Sequence, residues 1–268
     1  MSIYNDPTLN RPWRYTVCRA FTGLLLYFCL YFLELFRWIM SVIAANLQAV
    51  NHDIAAAAQQ AGRAPSDVML LAVSKTVSAA RVREAVAAGQ RAFGENYVQE
   101  GVEKIAALDD LRGQLQWHFI GPLQSNKTRP VAEQFDWVHA IDRLRIAERL
   151  SAQRPAGLPP LQVCIQVNIS DEDTKSGVAP AEVPALAQAI AQLPNLRLRG
   201  LMAIPAPASD PAAQRQPFAA LRGLLDQLRQ SGLNVDTLSM GMSADMDAAI
   251  AEGATLVRIG TAIFGARQ

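Results

Sequence analysis

The chain has 268 residues, half of them hydrophobic, and its formal net charge at pH 7 is +1. This length fits one barrel of about 250 residues or two smaller domains. The near-neutral charge gives no support to a nucleic-acid-binding surface and indicates no acidic tail. The three cysteines form no CxxC pair and no cluster with histidines, so we expect a reduced, cytoplasmic protein with no disulfide framework and no metal site.

Residues 1–39 differ in composition from the rest of the chain. The segment Phe21–Met40 is rich in leucine and aromatic residues, but its uninterrupted apolar part, Gly23–Leu33, is shorter than the roughly 20 residues that span a bilayer. It is open to three interpretations: a weak membrane anchor, an amphipathic appendage, or translated sequence upstream of the true start. Met40, directly before a predicted helix, favours the third. We therefore predict an extension at 1–39, with membrane contact only if it is native, and one folded domain at 40–268.

From residue 41 onward, predicted helices and strands alternate along the chain. Strands that alternate with helices indicate parallel pairing and right-handed crossovers, and eight such units predict a single (β/α)8 TIM barrel. The absence of GxGxxG after the first strand weakens the alternative of an open doubly wound sheet. The predicted strands are 68–74, 91–96, 116–121, 137–142, 161–169, 196–204, 237–243 and 255–265, and the predicted helices are 41–62, 79–88, 97–108, 126–134, 143–152, 181–192, 218–230 and 244–252.

A lysine follows the first strand, at the end of the barrel where active sites gather. Lys75 comes directly after the aliphatic segment 68–74. One interpretation is a strand-end lysine that extends to solvent. The other is an amine at the mouth of an apolar barrel, where desolvation lowers its pKa so that it attacks an aldehyde and forms a Schiff base. Lys75 alone does not decide between them.

The seventh and eighth strands end in residues that suit a phosphate group. Loops after these two strands bind phosphate in many TIM barrels, with help from a helix N-terminus. The alternative is ordinary turn chemistry, with Ser243 as a helix N-cap. Barrel closure places the first strand beside the eighth, so a lysine and a phosphate site together indicate a phosphorylated aldehyde, for which pyridoxal 5'-phosphate (PLP) is the candidate. The candidate phosphate residues are Ser239, Gly241, Ser243, Gly260 and Thr261.

Arg258 is a charged residue inside the apolar last strand. It either pairs with a carboxylate on the outer face of the barrel or contacts the phosphate or the ring nitrogen of the cofactor. At the nitrogen it would leave the pyridine neutral. Asn96 and Asn168 are candidates for hydrogen bonds to ring substituents, although both could cap loops. Trp117 and His118 are neighbours on one strand, so one of them must face outward, and packing is the expected role of Trp117.

Eight motifs follow one another in order between about residues 40 and 267: LLAVSKT, FGENYVQE, WHFIGPLQSNK, QVNIS, KSG, GLMAI, LSMGMSADMDAAI and VRIGTAIFGAR. Together they resemble the pyridoxal phosphate homeostasis protein family (YggS/PROSC), which is similar to the N-terminal domain of alanine racemase. The resemblance implies a fold-type III PLP-binding barrel in which Lys75 carries the cofactor, residues 239–243 and 260–261 hold its phosphate, and Arg258 lies nearby. It also implies cytosolic PLP homeostasis and delivery, with apo-PLP enzymes as recipients and no established catalysis.

Two enzymatic alternatives use the same lysine. A PLP-dependent amino-acid racemase needs a second acid/base, commonly a tyrosine, on the opposite face of its substrate. In fold-type III racemases that tyrosine comes from a second domain, whereas this chain ends at Gln268 and has Tyr97 as its one tyrosine after residue 40. We therefore expect a PLP carrier and no enzyme. A class I aldolase, which shares the Schiff-base chemistry, is the weaker alternative.

Overall fold

The computed structural model describes residues 41–170 and 176–266. The predicted extension and its boundary at residues 39 and 40 lie outside these residues and stay a prediction. None of the described helices is long and apolar enough to cross a membrane. The helices are α1 Val42–Gln60, α2 Ala79–Ala87, α3 Val98–Ala107, α4 Thr128–Gln134, α5 Leu144–Gln153, α6 Val183–Ala191, α7 Pro211–Gln230, α8 Met246–Ala251 and α9 Thr261–Phe264. The strands are β1 Met69–Val73, β2 Ala92–Glu95, β3 Gln116–Phe119, β4 Trp137–Ile141, β5 Leu161–Gln166, β6 Leu196–Met202, β7 Thr237–Ser239 and β8 Leu256–Ile259.

The eight strands form a closed parallel barrel in chain order, which confirms the predicted (β/α)8 architecture. Closure is made by β1 and β8, whose register pairs Leu71 with Arg258 and Ala72 with Ile259. The C-terminal ends of these two strands are therefore neighbours, although they are far apart in sequence. This adjacency brings the predicted lysine and phosphate segments to one place.

Burial on both faces explains the apolar strand sequences. The barrel interior covers one face of each strand and the helices cover the other, so parallel strands carry nearly continuous apolar runs. Trp117 and His118 show the consequence, because both are fully buried. Trp117 belongs to the main hydrophobic core and lies beside Phe93, so packing is indeed its role. α1 contributes a stripe of buried side chains at helical spacing, including Ile43, Leu47 and Ile54.

Three predicted boundaries are wrong by four residues or more, one of them the end of β7, which lies at Ser239 and not at residue 243. α7 begins at Pro211, seven residues before the predicted start, because the carboxylate of Asp210 accepts a hydrogen bond from the Ala213 N–H and caps the helix. Pro217 lies inside this helix. β8 ends at Ile259, and the segment predicted to continue it as a strand is the short helix α9, which buries Ile263.

Candidate functional site

A cavity of about 320 Å³ lies at the C-terminal end of the barrel, next to the junction of β1 and β8. Its volume is within the range of small-molecule sites, roughly 300–1,000 Å³. A second cavity of about 200 Å³ adjoins it, and Lys75 lines both. Apolar side chains, among them Val73 and Ile120, form part of the wall of the larger cavity. Six of the nine predicted site residues line the larger cavity: Lys75, Asn96, Ser243, Arg258, Gly260 and Thr261.

The other three predicted site residues do not line this cavity. Ser239 is fully buried, and its hydroxyl is engaged by His139 and Arg258. Gly241 has a φ of 94°, and a Cβ there would lie 2.6 Å from the Cβ of Ala249, so this glycine permits a turn packed against α8. The backbone N–H of Asn168 donates to the Val178 carbonyl at 2.9 Å.

Arg258 is a buried cation that faces neutral groups. Its side chain, 5% exposed, lies on the cavity side of β8, so the alternative of an outer-face ion pair is wrong. Nη1 donates to the carbonyl and hydroxyl of Ser239 at 2.5 and 2.9 Å, and Nη2 donates to the Ala203 carbonyl at 2.9 Å. Burial lowers the pKa of the guanidinium to about 10, so it stays charged at neutral pH. Among the described residues, no carboxylate lies within 4 Å of it.

Two buried histidines extend the contacts of Arg258 across the barrel. His139 Nδ1 lies 2.8 Å from the hydroxyl of Ser239, and His139 Nε2 lies 2.9 Å from His118 Nδ1. β4 and β7 are not neighbours in the barrel, so the hydrogen bond between His139 and Ser239 crosses the interior. Desolvation lowers the pKa of His118 to about 3 and the pKa of His139 well below 6.5. Both rings are therefore neutral at physiological pH. We name the residues Arg258, Ser239, His139 and His118 the histidine chain.

On the other side of the cavity, charged groups contact the turn that contains Lys75. Lys104 on α3 is buried, and its Nζ donates to the Ser74 carbonyl and to one oxygen each of Glu95 and Glu100. These four residues, Ser74, Glu95, Glu100 and Lys104, are named the Lys104 cluster. Burial raises the pKa of Glu95 even though Lys104 and Ser74 donate to it. Sequence analysis missed both the cluster and the histidine chain, because neither carries a local spacing signal.

The donors and acceptors around the cavity fit a phosphorylated aldehyde. Lys75 supplies an amine, and Arg258 supplies a buried positive charge with no described carboxylate within 4 Å, although the negative charge of Asp245 acts on it from farther away. Ser243 and Thr261 are exposed and place hydroxyl groups at the cavity wall. The side-chain oxygen of Asn96 is buried and has no hydrogen-bond partner among the described residues. A buried acceptor of this kind is costly unless a ligand or water donates to it, so it indicates a site built to receive a polar group.

The fold and these side chains define a barrel protein of the alanine racemase N-terminal type, and comparison with known proteins agrees. The family model described as alanine racemase, N-terminal domain, matches residues 45–268. A pyridoxal phosphate homeostasis protein of Pseudomonas aeruginosa is 66% identical over 229 residues, which cover 85% of this chain and 97% of the relative. One of Escherichia coli is 60% identical over 234 residues, with 85% and 98% covered. The chain belongs to the pyridoxal phosphate homeostasis protein family.

Solved structures show the same barrel. PipY of Synechococcus elongatus, determined with PLP bound, superposes with a TM-score of 0.72 at 40% identity, covering 83% of this chain and all of PipY. Alanine racemase of Corynebacterium glutamicum superposes with a TM-score of 0.59 at 20% identity, covering 84% of this chain and 61% of the racemase. The second similarity is one of fold alone.

Proposed function

We propose that this protein binds PLP as a Schiff base on Lys75 and serves intracellular PLP homeostasis and delivery, without catalytic turnover. One observation carries the proposal. Lys75 follows β1 and the buried Arg258 lies on the neighbouring strand β8, both line one cavity, and no described carboxylate forms an ion pair with the arginine within 4 Å. A buried cation of this kind favours an anionic or acceptor ligand. The names of the relatives and the PLP-bound structure of PipY support the same conclusion.

Different residues of the chain would hold different groups of the cofactor. PLP supplies an aldehyde, which bonds covalently to an amine, and Lys75 is the amine at this cavity. Arg258 faces the phosphate or the pyridine nitrogen, and its neutral neighbours leave its charge available to either. Ser243 and Thr261 offer hydroxyl groups to the phosphate, beside the backbone of Gly260. Asn96 offers its buried oxygen to a donor, and Asn168 stays a weaker candidate for a ring substituent. The apolar part of the wall, which includes Val73 and Ile120, would lower the polarity around the amine of Lys75.

The position of Tyr97 supports a carrier over a racemase. Tyr97 is 59% exposed and lines a different cavity, together with Lys127. Within the described residues, no tyrosine therefore stands opposite Lys75 to act as the second acid/base of racemisation. Relatives with the same barrel are named homeostasis proteins. We further propose a cytoplasmic location, with apo-PLP enzymes as recipients of the cofactor.

Mass spectrometry after chemical trapping tests the proposal. The purified chain is mixed with PLP, its visible spectrum is recorded, borohydride is added, and the modified peptide is sequenced. We expect a visible band and one reduced adduct, on Lys75, and we expect Lys75→Ala to lose both. Lys127→Ala is the matched control, because Lys127 is an exposed lysine beside the neighbouring cavity, and it should keep both.

Four outcomes contradict the proposal. An adduct at another lysine in the wild-type protein, or no adduct at all, would remove the role of Lys75. Steady racemisation of a free amino acid by the PLP-loaded protein would favour the racemase. An aldol cleavage that proceeds without PLP would favour the class I aldolase.

A further inference from the structure

The residues on either side of Lys75 are both held by α3. Ser74 precedes the lysine and Thr76 follows it, and each contacts a charged side chain of the same helix. These contacts lie outside the cavity, since neither Glu100 nor Lys104 lines it. They therefore act on the backbone that carries Lys75, not on a ligand.

The contacts before Lys75 are short and buried. Lys104 Nζ donates to the Ser74 carbonyl at 2.7 Å and to Glu95 Oε1 at 2.6 Å, and its side chain is only 4% exposed. The hydroxyl of Ser74 donates to the same Glu95 oxygen at 2.6 Å. Charge-assisted hydrogen bonds of this length in a dry environment are strong and directional. Ser74, which precedes Lys75, is thus held both at its backbone carbonyl and at its side-chain hydroxyl.

The contact after Lys75 stabilises an unfavourable backbone conformation. Thr76 has a φ of 63°, and β-branched residues rarely adopt this left-handed region. Such a residue keeps its conformation only where the surrounding structure enforces it. Here the Thr76 N–H donates to Glu100 Oε1 at 2.5 Å, and the same oxygen accepts from Lys104 Nζ at 3.0 Å. One carboxylate therefore joins the strained turn to the buried ammonium group.

We infer that Glu100 and Lys104 are positioning residues that hold the Lys75 turn and so determine how firmly the protein retains its cofactor. This inference rests on the proposed function, because it concerns the bond between Lys75 and PLP. When Glu100 no longer accepts from Thr76, the turn relaxes toward a common backbone conformation and the amine of Lys75 leaves its aligned position. Binding at Lys75 becomes weaker and less ordered, while the cavity wall and Arg258 keep their places.

Four forms of the protein test this inference: wild type, Glu100→Ala, Glu100→Gln and Glu103→Ala. Glu100→Ala removes the acceptor of the Thr76 N–H, whereas Glu100→Gln keeps a side-chain oxygen at that position. Glu103→Ala is the matched control, because Glu103 is an exposed carboxylate on the same helix whose described hydrogen bond is with Gln99. Each form is titrated with PLP, trapped with borohydride and examined for adduct at Lys75. Visible circular dichroism reports how uniformly the bound cofactor is oriented.

We expect Glu100→Ala to raise the dissociation constant for PLP about tenfold or more, as the loss of a charged hydrogen bond predicts. Its visible circular dichroism, recorded before borohydride is added and divided by the amount of adduct, should fall as well. Glu100→Gln should recover most of both signals, and Glu103→Ala should match the wild type within about twofold. Urea unfolding of each form separates a loss of alignment from a loss of fold. If Glu100→Ala does not fold, Glu100→Met keeps the side-chain length without the acceptor and carries the same expectation.

The outcomes distinguish this inference from the proposed function. If the wild-type protein carries no adduct at Lys75, the proposed function fails. If the wild type is labelled at Lys75 and Glu100→Ala binds PLP with unchanged affinity and circular dichroism, the positioning role is overturned and the proposed function stands. A Glu100→Gln protein as impaired as Glu100→Ala would also overturn the role of the Thr76 hydrogen bond.

Discussion

Each side of the cavity contains a buried positive charge, and the two charges are stabilised by different groups. At the β1 side, the buried ammonium of Lys104 is matched by Glu95 and Glu100, so charge is balanced within the protein. At the β8 side, Arg258 is held by carbonyl and hydroxyl oxygens and is backed by neutral histidines. Both groups are buried to a similar degree, yet only Lys104 has a carboxylate within ion-pair distance among the described residues, whereas Asp245 acts on Arg258 from farther away.

This difference indicates that the β1 side supports the fold, whereas the β8 side is the one that receives a ligand. Desolvating an unmatched cation costs free energy, which a ligand that brings the missing charge or acceptor recovers on binding. The Lys104 cluster needs no ligand because its carboxylates already complete it. We therefore expect loss of the buried Lys104 on the β1 side to act mainly on the stability of the protein, and loss of Arg258 on the β8 side to act mainly on affinity for PLP.

The largest effect should follow Lys104→Met. This change leaves Glu95 buried without its cation, and breaking a buried pair in this way costs about 3–5 kcal/mol of unfolding free energy. Urea unfolding at pH 7 measures the loss. The deficit should shrink under acidic conditions, because a protonated Glu95 no longer needs a counter-charge and its pKa is already raised.

An exposed ion pair provides the control for Lys104→Met. Arg83 pairs with Asp110 at 2.6 Å, but their side chains are 47% and 60% exposed. Arg83→Met should therefore leave the unfolding free energy close to that of the wild type. Equal losses in the two variants would show that the Lys104 cluster is not balanced internally as described.

The part of the site that follows from chain topology could be predicted from the sequence. Eight alternating units require closure, and closure brings Lys75 beside Arg258 whatever the details of packing. Local motifs also marked Ser243 and Thr261 correctly as residues near the cavity. Ser239 belongs to the same motif, but its side chain is buried against His139 and Arg258, and Gly241 forms a tight turn packed against Ala249.

The supporting residues could not be predicted, since their contacts depend on tertiary geometry. Lys104 reaches Ser74 across 30 positions of sequence, and His139 reaches Ser239 across 100. For His118, the sequence left open whether it or Trp117 faces the barrel interior. That choice depends on strand stagger, which no residue pattern in a short strand determines. Long-range contacts between unlike residue types leave no periodic signal.

A smaller effect, on affinity alone, should follow Arg258→Met. The variant removes the unmatched cation, so we expect PLP affinity to fall about 10–100-fold, the range for a charged hydrogen bond. Arg258→Lys should be intermediate, because a point charge cannot reach Ser239 and Ala203 together as the guanidinium does. A PLP titration measures each variant, with Arg222→Met as the control, since Arg222 is half-exposed and pairs with Glu252. Unchanged affinity in Arg258→Met would show that no group of the cofactor faces this arginine.

The smallest effect concerns pH and the histidine chain. His118 in the folded protein has a pKa of about 3, lowered from 6.5 by desolvation, whereas in the unfolded chain it takes up a proton as the pH falls through 6.5. Stability is therefore lost as the pH falls from about 6.5 toward about 3, with a slope that approaches about 1.4 kcal/mol per pH unit for this one group. His118→Gln should flatten the curve of unfolding free energy between pH 7 and pH 5 by that contribution. The exposed His52 on α1 supplies the control variant, His52→Gln. Equal slopes in wild type and His118→Gln would mean that the folded chain takes up this proton, and the histidine chain would then carry a second charge in acid, in addition to Arg258.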